Sequence, residues 1–278
     1  MIPATHYVHS GKTPIGGIAM TLVAGSIVGG ILGALYAALI YWIPFVFLLF
    51  ILTAGLGIVL GACSGGLAAA GKIRHNGVTT QLAFVASLVA YYVHWVVWMD
   101  LMTGEMFLKP DELWIMMNRI AATGAWSVFD WTPRGFSLWA IWGIEAAIIV
   151  GMGTLGAHAA TDVPFCEASN QWTEENTLAT RFRVVDPAQP IESPSALLGA
   201  LQPEHGTTGT FSEVTVFTAP GSELRCVTLD AVTLEYDDDG KEQKNKQTIV
   251  KQMIFDRGSF DKLMSLNGEP VAEAAPVL

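Results

Sequence analysis

Two ionisable side chains stand where the sequence tolerates almost no charge. Glu145 lies in WAIWGIEAAIIV and His94 in VAYYVHWVVW, each within about 20 largely apolar residues. A charge at the centre of a membrane helix costs about 2.5–3.5 kcal/mol on insertion scales, so such a residue needs a function or a partner. If both runs reach the same membrane face, His94 lies about five residues from it and Glu145 about nine, an offset of about 6 Å. Two side chains span that gap, and a Glu–His pair at that depth relays protons or lines an ion path. The competing reading is a carboxyl that only fixes helix packing, either protonated or hydrogen-bonded to His94, Ser137 or Thr123.

The three cysteines are too few and too scattered for a disulfide framework. Gly61-Ala62-Cys63-Ser64-Gly65 has nucleophile-elbow spacing, but that motif needs a strand-to-helix turn with a His and an acid nearby. Here it sits in an apolar helical run, which ranks an intramembrane enzyme last. Pro164-Phe165-Cys166-Glu167-Ala168-Ser169 resembles half a zinc knuckle with Ser169 in the second ligand position, and Cys226 stands where a second half would begin. Structural zinc takes four N or S ligands. Two thiols and His205 do not complete that set, so the expectation is a degenerate knuckle with no metal and no cofactor. The Pro-Phe-Cys-Glu run also resembles a segment that follows the last span in bacterial membrane proteins, a resemblance that implies no activity.

The elements that carry these residues follow from charge. From Thr13 to Gly71 there is no Asp, Glu, Lys, Arg or His in 59 residues, enough for two spans broken at Pro44. Helices are expected over 16–41, 44–70, 79–99 and 136–159, giving a four-span all-α membrane domain over 1–161. Between the last two, Pro110, Asp111 and Glu112 open a helix over 111–121 with apolar residues on one face. Within the outer segment 100–134 it is read as an interfacial helix on the membrane surface, or as a lid over the bundle.

Gly25, Gly29 and Gly33 repeat every fourth residue, as do Gly57, Gly61 and Gly65. Lipid tails are as apolar as leucine, so helices associate in a bilayer through close backbone packing at small residues. The pattern resembles the glycine-zipper segments of bacterial membrane proteins, a resemblance that implies tight packing only. Either the two rows face each other within the first hairpin, or one faces a neighbouring subunit and builds a homo-oligomer.

Lys12, Lys72, Arg74 and His75 flank one end of the spans. Purely basic short loops mark the cytoplasmic side, so both termini are expected in the cytoplasm of a bacterial inner membrane. Eight of the nine tryptophans then gather at the outer face, where indole favours the headgroup level. One lysine before a long apolar run, with no prompt cleavage site, does not read as a cleavable signal.

Beyond residue 161 the composition changes. Residues 162–278 hold nineteen acids and nine bases, so the whole net charge of −10 lies there. That excludes a basic nucleic-acid surface. Strands are expected over 181–185, 210–218, 224–236 and 247–255, with a turn at 237–240 and short helices over 193–201 and 259–266. This is a small α+β domain over 162–268, ahead of a disordered tail over 269–278. Together the leading expectation is a non-enzymatic scaffold or assembly subunit that packs or oligomerises through glycine-lined helices, its partners being lipid and other membrane-complex subunits. The runner-up is a channel or transporter component, proton-linked through Glu145 and His94.

Overall fold

The computed structural model describes residues 6–43, 46–127, 130–188, 190–204, 209–236 and 242–267. The chain divides into two compact units, one of residues 10–162 and the other of residues 1–9 with 163–278. The first holds helices α1 (Ile15–Trp42), α2 (Val46–Ala70), α3 (Asn76–Thr103), α4 (Pro110–Thr123) and α5 (Phe136–Ala160). Four of these, all but α4, are long and apolar enough to cross a membrane. The chain is therefore a multi-pass membrane protein with four spanning helices. Pro44 lies outside the described residues, but α1 ends two residues before it, as the steric demand of proline on its predecessor requires.

The glycine rows do not meet each other, which corrects the leading expectation for them. α1 packs chiefly on α3, and α2 on α5. A Cβ at Gly29 would stand 2.6 Å from the Ala86 carbonyl oxygen, and one at Gly33 would overlap the Ala90 carbonyl; Gly25 lies against the Ala86 methyl. On the second row, Gly57 meets Met152 of α5, Gly61 meets the Gly153 backbone at 2.9 Å, and Gly65 meets Ala157 and Ala160. The physical reason lies in the partners. α3 and α5 offer small residues of their own at matching depths, Ala83, Ala86 and Ala90 on one and Gly153, Gly156 and Ala157 on the other. A smooth face gains most against another smooth face. Both rows are thus occupied within one chain, and neither is left open for a second copy.

α4 packs one face against the bundle. Leu113, Met117 and Ala121 are buried in one cluster with Trp95, Trp98, Met99, Leu138 and Trp142. Its opposite face keeps Trp114 and Ile115 exposed.

The second unit holds β1 (Phe165–Cys166), β2 (Gln171–Trp172), β3 (Glu174–Thr177), α6 (Pro194–Ala200), β4 (Thr210–Thr218), β5 (Arg225–Tyr236), β6 (Glu242–Ile254) and α7 (Arg257–Ser265). The main sheet is antiparallel in the order β3-β4-β5-β6, and β1 pairs with β2 in a separate small hairpin. Alternating residues of β4, β5 and β6, among them Val214, Val216, Val227, Leu229 and Val250, form a core with Leu197 of α6 and Leu263 of α7. Residues 6 and 7 join this unit, where Tyr7 N–H donates to the Gln252 carbonyl at 2.9 Å.

Two sequence readings change, and one holds. Residues 181–185 are extended but bridge only at Phe182, and the edge of the sheet is taken by β3, whose four residues are all exposed and carry no alternation. α7 begins before Ser259, because the Asp256 carboxylate accepts the Ser259 N–H at 3.0 Å and is the cap. Ser193 caps α6 as its position suggests, accepting from Ala196 N–H at 3.2 Å. The turn at 237–240, the tail over 269–278 and His205 lie outside the described residues.

Candidate functional site

The α1 stripe that begins with glycine ends with a phenol. Gly25, Gly29, Gly33 and Tyr36 lie on one buried face, so Tyr36 points into the bundle one turn beyond the last close backbone contact. Its hydroxyl donates to Glu145 Oε1 at 2.5 Å, within the range of a charge-assisted O–H···O bond. Thr53 of α2 shares a 2.8 Å hydrogen bond with the same hydroxyl, and its own Oγ1 donates to the Leu49 carbonyl at 2.7 Å. Three helices therefore converge on one polar cluster within the apolar bundle.

Beside it lies a cavity of about 360 Å3. Its walls come from α1 (Tyr36, Ile40), α2 (Leu49, Phe50, Thr53), α3 (His94, Trp95, Trp98) and α5 (Ile141, Trp142, Glu145, Ile148), with Trp126 and Trp131 from the loop after α4. The structure brings His94 and Glu145 to this one cavity, but no hydrogen bond between them is present. Tyr36 holds the carboxylate instead. Ser137 and Thr123 are engaged locally, Ser137 with the Arg134 backbone and Thr123 with the carbonyls of Arg119 and Ile120.

His94 is 2% exposed, and neither ring nitrogen has a hydrogen-bond partner among the described residues. Its ring lies 4.9 Å from Tyr36, 5.3 Å from Trp95 and 5.8 Å from Tyr91, centroid to centroid. Buried polar groups nearly always have partners, so the imidazole of His94 and the Nε1 of Trp95, both left without one on the cavity wall, set this site apart from the rest of the bundle.

The tryptophans are not a simple belt facing lipid. Trp95 stacks edge to face on Trp142 at 4.8 Å and on Trp98 at 5.5 Å, and Trp142 continues to Trp139 at 5.1 Å. Trp42 stays exposed, whereas Trp95, Trp98 and Trp142 are buried.

No protein-family model, curated protein or solved structure matches this chain.

The other sequence candidates are separate from this site. Cys63 and Ser64 lie in mid-α2, with none of the strand-to-helix geometry of a nucleophile elbow. Cys166 is buried in β1, where it receives the Ser222 hydroxyl at 2.9 Å. Burial opposes its thiolate. The hydroxyls of Ser169 and Ser222 and the N–H groups of Ser169 and Ala168 overcome that and lower the thiol to about 7. Cys226, buried in β5, is pushed up to about 12 by desolvation alone. Among the described residues, no three His, Cys, Asp or Glu side chains converge as metal ligands would.

Tyr36 and Thr53 were the residues that sequence reasoning passed over. The signal for Tyr36 is its place one turn after Gly33, on a small-residue face where a bulky polar ring has no packing reason to stand.

Proposed function

We propose that the four-helix unit is the substrate- and proton-handling part of a membrane transporter or channel component, working through Glu145. The observation that carries the reading is the Thr53–Tyr36–Glu145 hydrogen-bond chain on the wall of a cavity that also holds the unpartnered His94. A carboxylate whose hydrogen-bond partner is a phenol gains and loses a proton at small cost in geometry, and an adjacent imidazole accepts or returns it. Small molecules bind in apolar cavities of about this size with a few convergent polar groups.

The test is an imposed pH gradient across liposomes. Wild-type protein should dissipate it faster than protein-free liposomes do. Glu145→Gln keeps the acceptor for Tyr36 and removes the titrating oxygen, so flux should fall to the protein-free rate while insertion is unchanged. Equal rates for the two proteins overturn the proton role.

The basic loop at Lys72, Arg74 and His75 supports cytoplasmic termini in a bacterial inner membrane. A reporter that works only in the periplasm, fused at Leu278, should then be silent, and activity there reverses the topology.

A scaffold or assembly role is the second reading, and what favours it is the β5–β6 hairpin. Beyond the Thr210–Thr233 pair, β5 and β6 run on without β4, and residues 242–248 of the edge strand β6 are exposed. Such an edge suits a docking partner, although its charged and amide side chains discourage indiscriminate pairing. The glycine rows no longer support a homo-oligomer, because α3 and α5 occupy them.

A further inference from the structure

We infer that the Glu145 cavity takes an organic cation, an ammonium group carrying apolar substituents, with the charge set against the carboxylate and the substituents against indole rings. The inference deepens the transport reading of the same site and rests on it for the idea that the ligand moves.

Three features of the wall favour this class. Its aromatic content is high: Trp95, Trp98, Trp126, Trp131 and Trp142 all line a cavity of about 360 Å3 together with Tyr36. Aromatic faces attract alkylammonium ions, and most strongly where water is excluded. Its charge is of one sign, since Glu145 lines it and, among the described residues, no Lys or Arg does. On the same wall the Tyr36 and Thr53 hydroxyls are engaged and Trp95 Nε1 is only a donor, whereas His94, unpartnered and 2% exposed, can accept a hydrogen bond from an ammonium N–H.

The other ligand classes fit less well. An anion would meet the carboxylate with no compensating cation. A neutral apolar molecule would leave that carboxylate without a counter-charge in a nonpolar site. A small inorganic cation needs several oxygen ligands in place of its water shell. The side-chain oxygens that converge here, from Tyr36, Thr53 and Glu145, are already bonded to one another, and the indole walls supply no more. An organic cation is weakly hydrated and asks only for a diffuse negative environment and one carboxylate.

The cation and a proton both neutralise Glu145, so each weakens the binding of the other by the same factor. The titratable groups that face Glu145 are Tyr36 from α1 and Tyr91 and His94 from α3, while α2 contributes only the Thr53 hydroxyl. Cation binding should therefore release a proton when it begins from the protonated carboxyl.

The experiment uses the full chain in an uncharged detergent, titrated by calorimetry below pH 8 with benzyldiethylammonium, a tertiary ammonium that keeps one N–H, and, separately, with N,N-diethylbenzamide, a neutral molecule of similar size. The cation should bind about tenfold or more tightly than the amide, and its affinity should fall as the pH is lowered. Glu145→Gln should erase the preference, whereas Glu105→Gln, which removes an exposed carboxylate that does not line the cavity, should retain it. The wild-type comparison stands by itself if the Gln variant does not fold. Equal affinity for the two probes, or no binding of either, overturns the inference. Charge-selective binding without proton flux in liposomes keeps the cation site and overturns the transport reading, and flux without charge selectivity does the reverse.

Discussion

Gly33→Ala is expected to destabilise the four-helix unit by about 1–3 kcal/mol or more, although alanine is the better helix former. The added methyl falls on the Ala90 carbonyl oxygen, a backbone atom at the centre of α3 that cannot rotate away. Relief requires α1 to separate from α3 along its length. That also withdraws Gly29 from the Ala86 carbonyl and shifts Tyr36, one turn on, from Glu145. Gly30→Ala is the control, because its methyl would meet only Val93 Cγ2 at 3.8 Å, ordinary van der Waals contact. Equilibrium unfolding in mixed micelles should show the loss for Gly33→Ala and little change for Gly30→Ala. Since Gly33 meets α3 and Gly61 meets α5, Gly33→Ala and Gly61→Ala should add in the double variant. Unchanged stability in both single variants would mean that neither row is a close-packed surface.

The second large effect lies in the other unit. Phe182 is fully buried among Leu178, Val185 and the inner residues of the sheet. Truncating a buried phenylalanine to alanine costs about 3–5 kcal/mol. A domain of this size has about 5–15 kcal/mol in all, so Phe182→Ala removes much of its stability. The backbone bonds Phe182 N–H to Ser212 O at 2.9 Å and Ser212 N–H to Phe182 O at 2.7 Å do not depend on the side chain. The loss is therefore one of packing, and Phe182→Leu should recover most of it. Limited proteolysis of the full chain in detergent is the readout. Cleavage within 163–267 should become rapid in the alanine variant, at protease levels that wild type resists. Wild-type resistance would place Phe182 outside the core of this unit.

What the sequence disclosed depended on how strongly each feature is patterned. Absence of charge over long runs locates the four spanning helices to within a few residues, because nothing else permits such a composition in so short a chain. The regular strands β4, β5 and β6 are legible for a similar reason, being rich in β-branched and aromatic residues. β3 was missed because Glu174, Glu175, Asn176 and Thr177 are all exposed, and an edge strand without a buried face shows no period of two. The run at 181–185 reads as a strand from Phe182 and its two valines, yet only Phe182 and Val185 are buried and only Phe182 forms backbone bridges.

At the site, Glu145 and His94 stand out as polar residues in apolar helices, and both do line one cavity. Their relation was not legible. Which groups bond depends on how the helices are rotated about their axes, and that is decided by the pairing of small-residue faces. Four helices offer several such pairings. The sequence shows two glycine rows, but only the alanines of α3 and the glycines of α5 decide where each row goes. Tyr36 follows from that choice, because a different partner for α1 would turn its hydroxyl elsewhere.

The same pairing gives the bundle a mechanical grain. α1 with α3, and α2 with α5, are leaves joined backbone to backbone along several turns. Tyr36 and His94 belong to one leaf, Thr53 and Glu145 to the other, so the cavity is the seam between them. The 2.5 Å bond from Tyr36 to Glu145 crosses that seam as a latch. Prying the leaves apart at this end breaks the latch and leaves the glycine contacts within each leaf intact. A proton or a cation that takes over the carboxylate thus competes with the bond that keeps the seam shut.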